Sequence, residues 1–126
     1  MTGPRRRLPD ERPAITHHFS VGGLDGYFTV GLYPDGAPGE LFISISKEGS
    51  TLRGFTDAIG VLFSLSLQYG VPLEDILKKL RHMRFEPAGP AVGHVEIRTA
   101  SSILDYLAQW LSIRFLPEEA RARVEV

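Results

Sequence analysis

Hydrophobic residues in this chain change their period once, from 2 to 3.6, and the change falls at Gly49. Alternation before that point is the pattern of half-buried strands, and helical recurrence after it is the pattern of amphipathic helices. Phe19 and Val21 alternate with His18 and Ser20 until Gly22-Gly23 interrupts the run. Phe28, Val30 and Leu32 share one face of the next stretch, and Leu41, Ile43 and Ile45 one face of the third. Between those two stretches, Pro34-Asp35-Gly36-Ala37-Pro38-Gly39 has turn chemistry, since Gly supplies positive φ and Pro fixes its own. The pattern predicts three antiparallel strands in a meander with one buried face.

Three helices are predicted beyond Gly49. In the first, Leu52, Phe55, Ile59, Leu62 and Phe63 recur at helical spacing, with Ser50 or Thr51 as N-cap and Gly70 as stop. Its second half is apolar nearly all round, so it should be the central and most buried helix. Gly54 and Gly60 within it each cost about 1 kcal/mol relative to Ala, which points to close approach to the sheet. The second helix opens at Pro72, with Glu74 and Asp75 early and Lys78, Lys79 and Arg81 late, the order that the helix dipole favours. Its buried stripe is Leu73, Ile76, Leu77 and Leu80. A loop is expected over residues 84–98, with a short extended piece near Val95 and Ile97. The last helix starts at Ser101 or Ser102, where Ser102 and Asp105 have capping-box spacing, and ends before Pro117. The expected fold is α+β: a three-stranded antiparallel meander followed by three helices packed on one sheet face. Residues 1–14 read as a basic, Pro-rich arm, 15–117 as a single domain and 118–126 as a charged tail.

Chemistry is bounded mainly by what is missing. The sequence has 126 residues, a formal net charge of -1 and no cysteine. Disulfides, thiolate zinc sites and thiol nucleophiles are therefore excluded. No apolar run approaches the roughly 20 residues of a membrane span, and the charged start has no apolar stretch behind it, so a soluble cytoplasmic protein is expected. His17 and His18 are neighbours on a strand and point to opposite faces, while His82 and His94 lack ligand spacing; no metal and no cofactor are expected. The acidic pairs Asp10-Glu11, Glu74-Asp75 and Glu118-Glu119 lie in arm, helix-start and tail contexts, and no nucleophile elbow occurs. The expectation is a binding module and not an enzyme.

Three stretches are candidate contact sites. Lys47-Glu48-Gly49-Ser50-Thr51 ends a strand and opens a helix, which suits a phosphate or carboxylate and equally suits an ordinary helix cap after a turn. Arg84 and Glu86 sit in the predicted loop, where they would contact a ligand or pair internally. Arg5, Arg6, Arg7 and Arg12 make the arm locally basic, fit for phosphates or an acidic partner, or for plain solvation. With Tyr27, Phe28 and Tyr33 available for base stacking, the arm and the Lys47–Thr51 turn would support nucleic-acid or phosphate-ligand binding.

Several ordered blocks resemble one family: Arg5-Arg6-Arg7-Leu8-Pro9-Asp10, Thr16-His17-His18-Phe19, Gly26 through Tyr33, Pro38-Gly39-Glu40, Lys47 through Thr51, Leu67 through Glu74, Arg84-Phe85-Glu86-Pro87 and Ala100 through Tyr106. Together they resemble the TSCPD domain, the C-terminal accessory region of adenosylcobalamin-dependent (class II) ribonucleotide reductases. The resemblance runs from about Arg5 to Leu116. It implies a non-catalytic accessory or regulatory module linked to deoxynucleotide metabolism, because the thiyl radical, reducing cysteines and cobalamin site belong to a separate barrel. Where shorter members carry Thr-Ser-Cys-Pro-Asp, this chain has Ala100-Ser101-Ser102-Ile103-Leu104-Asp105, so no thiol role carries over. Expected partners are a ribonucleotide reductase or other protein, or a nucleotide, and the long apolar helix leaves room for a homodimer. The opening Met suggests a free-standing form, and a piece of a longer reductase fits the same residues.

Overall fold

The computed structural model describes residues 4–46 and 49–126. It is α+β, with strands β1 (Ala14–Val21), β2 (Leu24–Leu32), β3 (Pro38–Ile45), β4 (Gly89–His94) and β5 (Ile97–Ala100). Four helices accompany them: α1 (Ser50–Gln68), α2 (Leu73–Leu80), α3 (Ile103–Phe115) and α4 (Glu118–Glu125). The strand order is β3-β2-β1-β4-β5, and β1 to β3 are the expected meander. The backbone groups into two compact units. One holds the chain up to His18 with Gly26–Val71, the other Phe19–Asp25 with Pro72–Val126.

In the first unit, β2 and β3 pair antiparallel with Phe28 opposite Ile43 and Val30 opposite Leu41. All four are buried, as their alternation requires. The turn between the strands closes on its own side chain, Asp35 Oδ1 accepting from Ala37 N at 2.9 Å. Helix α1 runs along β3. Its C-terminus closes as a Schellman motif, with Val71 N donating to Ser66 O at 2.9 Å and Gly70 N to Leu67 O at 3.0 Å.

Helix α1 differs from expectation in two ways. Its N-cap is Gly49, with no side-chain capping bond, and Ser50 and Thr51 lie inside the first turn. It is also not the most buried helix: only Thr56, Gly60, Phe63 and Gln68 are buried, against nine residues of α3. An apolar surface that goes all round a helix exceeds what one strand can cover, whereas α3 is packed by β5, α2 and α4.

The second unit opens on the β1–β2 hairpin, where Gly22 and Gly23 have φ of +55° and +88°, the pair of positive values a two-residue type I′ turn needs. Phe19 stacks on Tyr106 with ring centroids 5.4 Å apart, and both rings are fully buried. Leu77 of α2, Ile97 of β5 and Leu107, Trp110 and Leu111 of α3 are buried too. The segment expected to be a loop contains β4 and the start of β5, where the expected extended piece falls at Ile97; the two strands pair antiparallel with Gly89 opposite Ala100. Its Gly, Pro and His content hides the strand signal, because β4 has no buried residue to set a period of two. The expected tail is α4, held by only two buried residues four apart, Ala120 and Val124.

Gly60 and Gly54 make a direct test of helix α1. A Cβ on Gly60 would stand 2.9 Å from the backbone oxygen of Leu41, whereas one on Gly54 would meet nothing within 4 Å. Gly54→Ala is expected to stabilise the chain by about 0.5–1 kcal/mol through helix propensity. Gly60→Ala is expected to destabilise it by about 1–3 kcal/mol despite the same propensity gain, because helix and strand must part. Urea titrations of the two variants against the parent check both signs.

Candidate functional site: the cleft between α1 and β3

By strand order β3 is an edge, and edges expose unpaired backbone groups. Helix α1 answers this with residues spaced four apart, which share one face. Gly60 allows contact with the Leu41 carbonyl. Ser64 Oγ accepts from Leu41 N at 2.8 Å and donates to Leu41 O at 3.3 Å. Gln68 Nε2 donates to Gly39 O at 2.9 Å. Three polar or small residues thus hydrogen-bond or closely approach the backbone of β3.

Gln68 also fastens the arm. Its side-chain oxygen accepts from Arg5 Nε at 2.6 Å, and its backbone oxygen accepts from Arg6 N at 2.8 Å. The Arg6 guanidinium lies 3.8 Å above the Tyr33 ring, and Tyr33 donates its hydroxyl to Arg6 O at 2.6 Å. Burial raises the Tyr33 pKa, opposed by the nearby Arg6 and Arg5 charges. Arg12 forms a two-point pair with Glu40, at 2.6 and 2.9 Å. Its guanidinium pKa is raised by the Glu40 hydrogen bond, against desolvation. The arm has no regular secondary structure over residues 4–13 and yet is strapped along its length.

Beside this strap lies an open cleft of about 610 Å³. Leu41, Phe42 and Ile43 form one wall, Val61 and Leu65 of α1 the other, with Asp57 among the lining residues. Its remaining polar side chains are engaged internally, Glu40 with Arg12, Ser64 with Leu41 and Gln68 with Gly39 and Arg5.

Lys47 and Glu48 lie outside the described residues, Gly49 caps α1, and Ser50 and Thr51 are exposed on its first turn. Arg84 and Glu86 are exposed between α2 and β4, in the other unit. Of the arm, Arg5, Arg6 and Arg12 are held internally as described, and Arg7 is exposed. Sequence reading passed over Gly60, Ser64 and Gln68 as a set, although their spacing of four was visible. Among the described residues no three His, Asp or Glu side chains gather as a metal site, and no helix is long and apolar enough to cross a membrane.

The start of α3 carries a second polar centre. Ser102 is the N-cap, its Oγ accepting from Asp105 N at 3.0 Å and donating to Met83 O at 2.7 Å. Asp105, 2% exposed, accepts from Arg81 Nη1 at 2.6 Å, His82 N at 2.7 Å and Ser101 N at 2.9 Å. Arg81 continues to Glu125 at 2.6 Å, which ties the end of α4 to the same loop. His82 takes a left-handed φ of 72° to present its N–H to Asp105. Burial pushes the Asp105 pKa up, and the bonds from Ser101, His82 and Arg81 outweigh it, so the net shift is downward.

Residues 3–115 match the family described as the TSCPD domain. The chain belongs to that family. The vitamin B12-dependent ribonucleotide reductase of Rhodopirellula baltica is 54% identical to this TSCPD domain over 114 residues, which cover 90% of the chain and 11% of that protein. The protein of the same name from Streptomyces coelicolor is 48% identical over 97% of the chain and 12% of its own length. The one from Bradyrhizobium diazoefficiens is 41% identical over 96% and 10%. The domain thus spans only 10–12% of the length of these relatives. No solved structure matches it.

The Asp105 centre predicts an acid-sensitive fold. A depressed carboxylate pKa contributes stability that is fully present above the unfolded value near 3.9 and is lost as pH falls through the folded value. Asp105→Asn is expected to lower stability at neutral pH by about 3 kcal/mol, since a mostly buried Arg81 loses a charged partner. It should also flatten the fall in Tm below about pH 4. A Tm series against pH, parent beside variant, checks both effects.

Proposed function

We propose that this TSCPD domain is a non-catalytic accessory module of cytoplasmic deoxynucleotide synthesis, acting by docking on the body of a vitamin B12-dependent ribonucleotide reductase. One observation carries the reading: the match takes in nearly the whole chain and yet a small fraction of each reductase relative. A chain without cysteine supplies no thiol chemistry of its own. The cleft supports docking over catalysis, since Glu40, Ser64 and Gln68 are engaged internally while its walls are apolar. Phe42, an exposed ring on the cleft wall, is the natural anchor for a partner side chain.

The phosphate or nucleic-acid reading, through the arm and the Lys47–Thr51 turn, has less support. Arg5, Arg6 and Arg12 are spent on internal partners.

The test is calorimetric titration of the chain into a vitamin B12-dependent reductase from which the matching segment has been deleted. Saturable binding is expected, weakened at least tenfold by Phe42→Glu, which is about 1.4 kcal/mol. No binding overturns the proposal. Tight binding to single-stranded DNA that falls steeply with salt would favour the alternative instead.

A further inference from the structure

Seen from β3, the far side of α1 carries its own pattern. Phe55, Ala58, Leu62, Leu65 and Tyr69 follow one another at steps of three, four, three and four. That is the 3.5-residue repeat by which one helix packs into another. It continues for about 21 Å along the axis at 1.5 Å per residue. Phe55 and Leu62 are each 65% exposed, Val61 beside them 58% and Tyr69 43%. Of this stripe only Leu65 also borders the cleft beside β3, which takes the opposite face of α1 through Gly60, Ser64 and Gln68.

We propose that this stripe is an interface between two copies of the chain, formed by α1 packing antiparallel on α1 of a second copy. The seam complements itself. With the helices antiparallel and centred on Gly60, Ala58 faces Leu62 of the other copy and Phe55 faces its Leu65, so the small residue meets a large one. Charge raises no barrier either. The 19 residues of α1 hold only Arg53 and Asp57 as charged groups, and neither lies in the seam or beside it. No acidic residue marks the first turn and no basic residue the last, and antiparallel pairing sets the opposite helix dipoles side by side.

Area is consistent with a reversible dimer. With roughly 150–250 Å² for an aromatic side chain and somewhat less for Leu or Val, the exposed fractions leave on the order of 500 Å² of seam on each copy. A pair would bury about 1,000 Å², the lower bound of a specific interface. The pairing centres on Phe55, Ala58 and Leu62 on the outer side of α1 and shares only Val61 and Leu65, at its edge, with the cleft.

Sedimentation of the full chain from micromolar to submillimolar concentration tests it. A monomer–dimer equilibrium is expected, with Leu62→Glu raising the dissociation constant at least tenfold and leaving Tm nearly unchanged because Leu62 is exposed. The absence of native cysteine makes cross-linking clean. An Ala58→Cys, Leu62→Cys double variant should oxidise to a covalent dimer, and Ala58→Cys alone should not, since antiparallel packing keeps equivalent positions apart. A parent that stays monomeric at the highest concentration overturns the proposal. So does a dimer that Leu62→Glu leaves intact. Failure here with Phe42-dependent binding to the reductase body would leave the docking function standing.

Discussion

The contact between α1 and the backbone of β3 fixes most of what can be said about the first unit. An edge strand leaves amide and carbonyl groups without a ladder partner, and a helix of ordinary apolar side chains would bury them unsatisfied. Gly60 removes the side chain where the Leu41 carbonyl approaches, and Ser64 and Gln68 return hydrogen bonds to Leu41 and Gly39. The same Gln68 then receives Arg5 and Arg6, so the arm is anchored by the residue that caps the strand. One buried amide therefore joins three segments far apart in sequence. Loss of any partner would leave a polar atom stranded at a cost of about 1–3 kcal/mol.

The second unit solves a comparable problem with charge. Arg81 and Asp105 are both mostly buried, and such a pair holds only when the remaining donors and acceptors are matched. Backbone N–H groups of His82 and Ser101 and the second arm of Arg81 on Glu125 complete it. The outcome is a specific loop geometry between α2 and β4, not a reactive group. At the start of α3, Ser102 caps the helix and Asp105 binds neighbouring backbone. Those are structural tasks that need no sulfur.

How far the sequence could be read followed from how each element is buried. The meander was legible because Phe28, Val30, Leu41 and Ile43 alternate and are buried on one side. The α3 cap was legible because Ser102 and Asp105 have fixed spacing, although the Asp105 carboxylate reaches the N–H of Ser101 and not that of the cap itself. β4 was not, since a strand with no buried residue has no period to detect. Nor was α4, whose two buried residues sit in an otherwise charged string. The arm misled for another reason: its arginines look like a solvated basic tail until Gln68, Tyr33 and Glu40 are brought beside them by folding. Long-range partners of polar residues leave no local trace.

The misjudged burial of α1 is the most informative of these. Apolar residues all round a helix predict a central helix only where each apolar side finds a cover within the chain. Two sides do not: the flank of Val61 and Leu65 lines a cleft, and the stripe of Phe55 and Leu62 faces solvent. The side that is covered carries Gly60, Ser64 and Gln68 with Phe63 as its one large buried apolar residue, while Phe55, Val61 and Leu62 lie outward. Packing within the chain would favour the reverse, since burying Phe or Leu is worth about 1.5–3 kcal/mol and exposing it forfeits that gain. A helix built this way round leaves Phe55, Val61 and Leu62 uncovered by the described residues.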